Sequence, residues 1–211
     1  MVDIFKKSLV NGNGRLTLAY QELTEVPPNV VKNYAAATRE LDLSFNKISE
    51  LRSLEGFYSI NTLILDNNDI KSHVKFPPLP NLHTLWINRN RISNLTVFIE
   101  NIAREFPKLT YLSMMNNSAA PSYFNGGSYQ QYTDYRYYVI SQLPDLTMLD
   151  DKPVDAEERY EAEKIYKPRL TVRKSKSKKK QASSKKTRKK RTSSKADMPA
   201  EEDNQEEGEE S

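Results

Sequence analysis

Four octapeptides in this chain align on a single asparagine: LDLSFNKI (41–48), LILDNNDI (63–70), LWINRNRI (85–92) and LSMMNNSA (112–119). The fixed residues are Asn46, Asn68, Asn90 and Asn117, spaced by 22, 22 and 27 positions. A fainter copy, LTLAYQEL (16–23), puts Gln21 at the asparagine position. Self-similarity at a period of about 20–30 residues marks a solenoid, whose single units cannot bury their apolar faces and must stack on one another.

The residue types say which solenoid this is. Leu41/Leu43, Leu63/Leu65, Leu85/Ile87 and Leu112/Met114 alternate as a short strand with one buried face requires. Burying each of them fully is worth ~1.5–3 kcal/mol before entropy is counted. The asparagine follows, where its amide can satisfy backbone groups that a turn leaves unpaired. Ile48, Ile70 and Ile92 then re-enter the core, and Leu51, Leu54, Leu79 and Leu82 line the return segments. The pattern is that of a leucine-rich repeat, an α/β fold with a short curved parallel sheet on the concave face and helices and turns on the convex face. The third return segment, NLTVFIENIAREFPKL (94–109), is five residues longer than the others. Its Phe98, Ile102, Phe106 and Leu109 have helical spacing, which predicts a true helix on the convex side.

A stack needs covered ends. LTEVPPNVV (23–31) reads as a proline-bounded turn in the first repeat, and residues 135–166 read as a C-terminal cap. The cap is expected to hold a short helix, a last strand around Leu146 and Leu149, and a charged helix capped by Asp155 with Glu157 and Glu158 in its first turn. The resulting plan is an N-terminal segment (1–15), repeats (16–134), a cap (135–166), a basic tail (167–195) and an acidic tail (196–211). Charge follows this division. Residues 1–166 carry 17 Lys+Arg and 20 Asp+Glu, residues 167–195 carry 15 and none, and residues 196–211 carry none and 8. Such single-sign runs are expected to be disordered.

Several function classes find no support. The chain has no cysteine, which excludes disulfides and thiolate metal sites and fits a reducing compartment. The opening MVDIFKKSLVNGNG lacks the apolar run of a signal peptide, so the expected localisation is cytoplasmic, with nuclear entry through the basic tail. No stretch reaches the roughly 20 apolar residues of a spanning helix. His73 and His83, the only histidines, stand outside any metal-binding motif, and neither NGNG (11–14) nor FNGGS (124–128) leads from a strand into a phosphate-binding helix. Asp150-Asp151 reads as a cap turn, and the tyrosines between Tyr129 and Tyr138 read mostly as cap packing. No catalytic residue, metal, cofactor or small-molecule substrate is expected.

The cap stretches Tyr135-Arg136-Tyr137-Tyr138-Val139, Leu143-Pro144-Asp145-Leu146 and Leu149-Asp150-Asp151, with Glu157-Glu158-Arg159, resemble the cap of intracellular leucine-rich repeats. Such caps close repeats similar to the A-prime protein of a spliceosomal ribonucleoprotein. LDLSFNKI, FPPLPNLHTL (76–85), AREFPKLTYLSMMNN (103–117) and Ala120-Pro121 resemble most the leucine-rich melanocyte differentiation-associated family. The chain departs from that family at Ala120, where a cysteine is expected, and in the loop SYFNGGSYQQ (122–131). The resemblance implies a non-enzymatic adaptor for pigment-cell differentiation or lysosome-related organelles, with a small GTPase or trafficking adaptor as partner. The more distant resemblance implies a ribonucleoprotein scaffold.

The strands also predict where a partner would sit. Outward positions one repeat apart form the columns Asp42, Ile64, Trp86, Ser113 and Ser44, Asp66, Asn88, Met115. Glu40, Thr62, Thr84 and Tyr111 flank them on one side; Phe45, Asn67, Arg89 and Asn116 flank them on the other. Asp42, Ile64, Asp66, Trp86, Asn88, Arg89, Tyr111 and Met115 are therefore the candidate partner-binding residues, an apolar centre inside a polar rim. A tryptophan so placed also serves simply to shield its neighbours from water. The basic run RKSKSKKKQASSKKTRKKR (173–191) has no interleaved aromatic. It suits loose contact with nucleic-acid phosphates or an anionic membrane surface, and phosphorylation of its serines would neutralise it. The chain is expected to be a monomer.

Overall fold

A three-residue strand begins one residue before each aligned octapeptide, and the strands stack in sequence order. In the computed structural model, which describes residues 13–166, these are β1 (Arg15–Thr17), β2 (Glu40–Asp42), β3 (Thr62–Ile64), β4 (Thr84–Trp86) and β5 (Tyr111–Ser113). Two shorter strands from the cap, β6 (Met148–Leu149) and β7 (Lys152–Pro153), complete one sheet of order β1 to β7. All neighbours are parallel except β7, which turns back against β6. Pro153 cannot donate to a further strand, so the last edge is blunted. Both expected tails and nearly all of the N-terminal segment lie outside the described residues.

The register is the one the repeat requires. Leu16, Leu41, Leu63, Leu85, Leu112 and Leu149 form one buried row across six strands. The asparagines bind backbone rather than one another. Asn68 donates from Nδ2 to Leu65 O in its own repeat and to Leu43 O in the preceding one, and its Oδ1 accepts from Ile48 N at 2.9 Å. Asn46, Asn90 and Asn117 repeat this pattern, so each amide rivets two consecutive turns. Gln21, at the equivalent position of the first described repeat, donates from its side chain to Ala19 O at 3.2 Å.

The residue preceding each ladder position is left-handed. Tyr20, Phe45, Asn67, Arg89 and Asn116 have φ between +52° and +59°. This conformation suits asparagine and costs most other residues about 1–2 kcal/mol. The large side chains of Tyr20, Phe45 and Arg89 are thus held in an unfavourable backbone state on the exposed rim.

The convex side is closed by α1 (Pro28–Tyr34) and α2 (Leu95–Glu105), the second being the helix read from the longer return segment. Asn94 caps α2 by accepting from Val97 N at 3.1 Å. Phe98, Ile99 and Ile102 are buried, and Phe76 meets Phe98 and Phe106 edge to face. The first repeat differs from expectation: α1 replaces the turn, because Pro28 occupies the first helical position, where its missing N–H and preset φ favour a helix start.

The cap helix α3 (Tyr129–Gln142) also begins six residues before the expected Tyr135. Ser128 and Gln131 form a reciprocal capping box there: Ser128 Oγ accepts from Gln131 N and Gln131 Oε1 accepts from Ser128 N. Leu146 precedes the last strand instead of lying in it, and it is buried against the cap. Residues 156–166 form the charged helix, and Asp155 accepts from Glu158 N as an N-cap should.

Candidate protein-binding face

The sheet's parallel register places Asp42, Ile64, Trp86 and Ser113 in one column and Glu40, Thr62, Thr84 and Tyr111 in the next. Trp86 is 37% exposed, and its indole lies flat on the Tyr111 ring, with centroids 5.6 Å apart and planes within 4°. Tyr111 is half-buried and donates from its hydroxyl to Asp150 O at 3.3 Å, so its ring is fixed from the cap side. Burial, with Asp150 and Asp151 nearby, raises its pKa above the usual phenol value. Ile64 is partly exposed beside Trp86, and Met115 is 36% exposed at the end of the neighbouring column. The apolar centre read from the sequence is therefore assembled, with two aromatic rings already ordered.

The polar candidates divide into supports and exposed groups. Asn88 is buried: its Oδ1 accepts from Ser113 Oγ and Met115 N at 2.8 and 2.7 Å, and its Nδ2 donates to Asp66. Asp42 is also buried, accepting from Ser44 N and Oγ and from the Arg15 guanidinium. Both side chains are spent on internal bonds and hold the face rather than project from it. Asp66 is half-buried, bound to Asn88 through both oxygens, and burial raises its pKa above the ordinary carboxylate value despite those bonds. Arg89 is exposed.

The sequence reading missed what lies beyond Met115. A cleft of about 620 Å³ opens between the loop after β5 and the Asp150-Asp151 turn, with Arg89 and Met115 shared between it and the concave face. Tyr123, Phe124 and Tyr129, at 89, 92 and 83% exposed, stand along it. The loop presenting them is ordered: Asn125 donates to Ala120 O and accepts from Ser122 N, and Gly127 N donates to Ser122 O. A Cβ on Gly127 would lie 2.9 Å from Pro121 Cβ and from Ser122 N. The legible signal was the Ser122-to-Asn125 box and the glycine pair, which together specify a tight loop. Of the cap tyrosines, only Tyr135 is fully buried; Tyr129 is outside the core altogether.

Among the described residues, no helix is long and apolar enough to cross a membrane, and no group of three or more His, Cys, Asp or Glu is placed to hold a metal. His73 and His83 are both exposed, away from the concave columns.

A leucine-rich repeat family model matches residues 26–182, well over half of the sequence. The chain belongs to the leucine-rich repeat family. It is 42% identical over 127 residues to the human leucine-rich melanocyte differentiation-associated protein, covering 58% of this chain and 64% of that one. It is 33% identical over 145 residues to the U2 small nuclear ribonucleoprotein A' of Arabidopsis thaliana, covering 65% of this chain and 52% of the relative. The chain thus matches less than two thirds of the length of either relative. The fold is shared with a chain in the crystal structure of the Drosophila melanogaster SNF/U2A' complex, at a TM-score of 0.58 and 19% identity, covering 79% of this chain and 92% of that one. Both expected resemblances, the nearer and the more distant, are met.

Proposed function

We propose that this chain is a non-enzymatic adaptor whose concave face binds another protein. The observation that carries the reading is the stacked Trp86–Tyr111 pair, left accessible beside Ile64 and Met115 on a sheet whose aliphatic row is otherwise buried. Ordered aromatics with a polar surround lose little entropy on docking, which is why such residues anchor interfaces. The likeness to a melanocyte differentiation-associated protein supports a partner in that process, and a small GTPase or trafficking adaptor is the class the resemblance implies. The working compartment on this reading is the cytoplasm, with the nucleus open to the basic tail.

A second reading, a ribonucleoprotein scaffold, is supported by the U2 small nuclear ribonucleoprotein A' relatives. On that reading the concave face holds an RNA-binding protein and the basic tail contacts RNA. One experiment tests both. The full-length chain and its Trp86→Ala variant, checked for equal melting, are used to capture partners from native lysate. A partner lost only from the variant supports the concave face, and its class decides between the readings. Identical capture by both proteins overturns the concave-face assignment.

A further inference from the structure

We infer that Asp66 and Trp86 form a subsite for an arginine side chain of the protein partner. The inference rests on the concave-face reading and names the chemistry of the group that docks there. Asp66 is oriented before anything binds: Oδ1 accepts from Asn88 N at 2.8 Å and Oδ2 accepts from Asn88 Nδ2 at 3.2 Å. Asn88 is itself fixed by Ser113 and Met115. The neighbouring carboxylates of the face already have a cation, Glu40 and Asp42 sharing Arg15 at 3.1 and 3.2 Å. Among the described residues, Asp66 has none within ion-pair distance. A half-buried carboxylate kept without a counterion is a costly feature unless a partner supplies one.

The indole supplies the second contact. Trp86 ends β4 and Asn88 follows two residues later, roughly 6.6 Å along an extended chain, and Asn88 carries the Asp66 carboxylate. Tyr111, on the β5 side, stacks on the indole; on the opposite side lies β3, with Ile64 paired to Trp86 and Asp66 two residues beyond the strand's end. A guanidinium is planar: it stacks on an aromatic face while its edge forks onto a carboxylate. An ammonium cannot do both. Arg89 acts electrostatically on Asp66, and it is a competitor for the same carboxylate.

Trp86 is the only tryptophan in the chain, so its indole N–H gives a single assignable proton resonance. The full-length protein is titrated with N-acetyl-arginine amide and, separately, with the neutral N-acetyl-citrulline amide. The expected result is a saturable shift of the Trp86 resonance by the arginine probe and binding at least about tenfold weaker for citrulline, since the charge-assisted fork is lost. Asp66→Asn keeps the Asn88 N–H contact and is expected to weaken the arginine probe by a similar factor. Equal binding of the two probes to the unaltered protein overturns the inference without any variant, and so does undiminished arginine binding by Asp66→Asn. Because the probe needs no partner, its failure is separable from failure of the capture experiment: either can fail while the other succeeds.

Discussion

Arg136 and Glu158, 22 residues apart, meet in the cap as a forked ion pair. Arg136 Nε and Nη2 donate to the two Glu158 oxygens at 2.5 and 2.8 Å, and the guanidinium also donates to Leu149 O and Pro153 O. Arg136 is 1% exposed. One side chain thus joins α3, the β6–β7 hairpin and the last described helix. Arg136→Ala would leave the Glu158 carboxylate with Lys152 alone, at 3.3 Å, and strand two strand carbonyls, and the expected loss is about 3 kcal/mol. Urea denaturation measures it, and Glu158→Gln should cost less because the glutamine still accepts one of the bonds.

The same pair sets an acid limit. Although burial pushes the Glu158 pKa up, the bonds and charges of Arg136, with Lys152, outweigh it and hold the group below its ordinary 4.5. A carboxylate depressed in the folded state contributes stability at pH above its unfolded value, and that contribution is lost as pH falls through the folded value. Stability should therefore decline below about pH 4.5, and Glu158→Gln should flatten that limb. Asp150 acts in the opposite sense: burial raises its pKa despite bonds from Met114 N and Tyr135, so acid relieves part of the cost of keeping it charged. Melting temperatures of the two proteins between pH 3 and 7 give the comparison.

The asparagine ladder predicts a graded series. Asn68 and Asn117 are buried, and replacing either with alanine strands a buried N–H, Ile48 N or Ile92 N, at about 1–3 kcal/mol for a buried group left unpaired, while Leu43 O, Leu65 O and Ile87 O keep a donor from the neighbouring asparagine. Asn90 makes the same bonds in a half-exposed setting where water can replace them, so Asn90→Ala should cost less. Gln21→Ala should be nearly neutral, because its side chain makes one exposed bond. Chemical denaturation of the four variants ranks them.

Phe124→Ser removes a side chain that touches mostly solvent, so stability should change by less than about 0.5 kcal/mol. Partner capture should weaken if the partner extends from the concave face into the cleft. Gly127→Ala should act indirectly: the new methyl collides with Pro121 and the Ser122 backbone, displacing the loop and with it Tyr123 and Phe124. Capture and melting measured together distinguish the two effects.

What could be read from the sequence was whatever repeats locally. The strand register, the asparagine positions and α2 follow from spacing that short-range geometry imposes. The concave columns stand in the register the spacing predicts, but the roles of their polar members were not visible. Whether Asn88 projects or is consumed depends on Ser113 and Met115, 25 and 27 residues later. Arg136 and Glu158 stood out only as parts of the cap resemblance, and their pairing was not visible because they lie 22 residues apart in different helices. The aromatic loop was recognised only as divergent, since the hydrogen bonds that order it are made by small polar residues without periodicity.

The central claim is that the concave face, and not the convex side, meets the partner. A photo-crosslinking amino acid placed at Met115 and, separately, at Val97 tests it most directly, because the two positions are similarly exposed, at 36 and 42%, with Met115 on the concave face and Val97 on α2. Irradiation in native lysate should yield a discrete partner adduct from Met115 and none from Val97. An adduct from Val97 with none from Met115 would contradict the account.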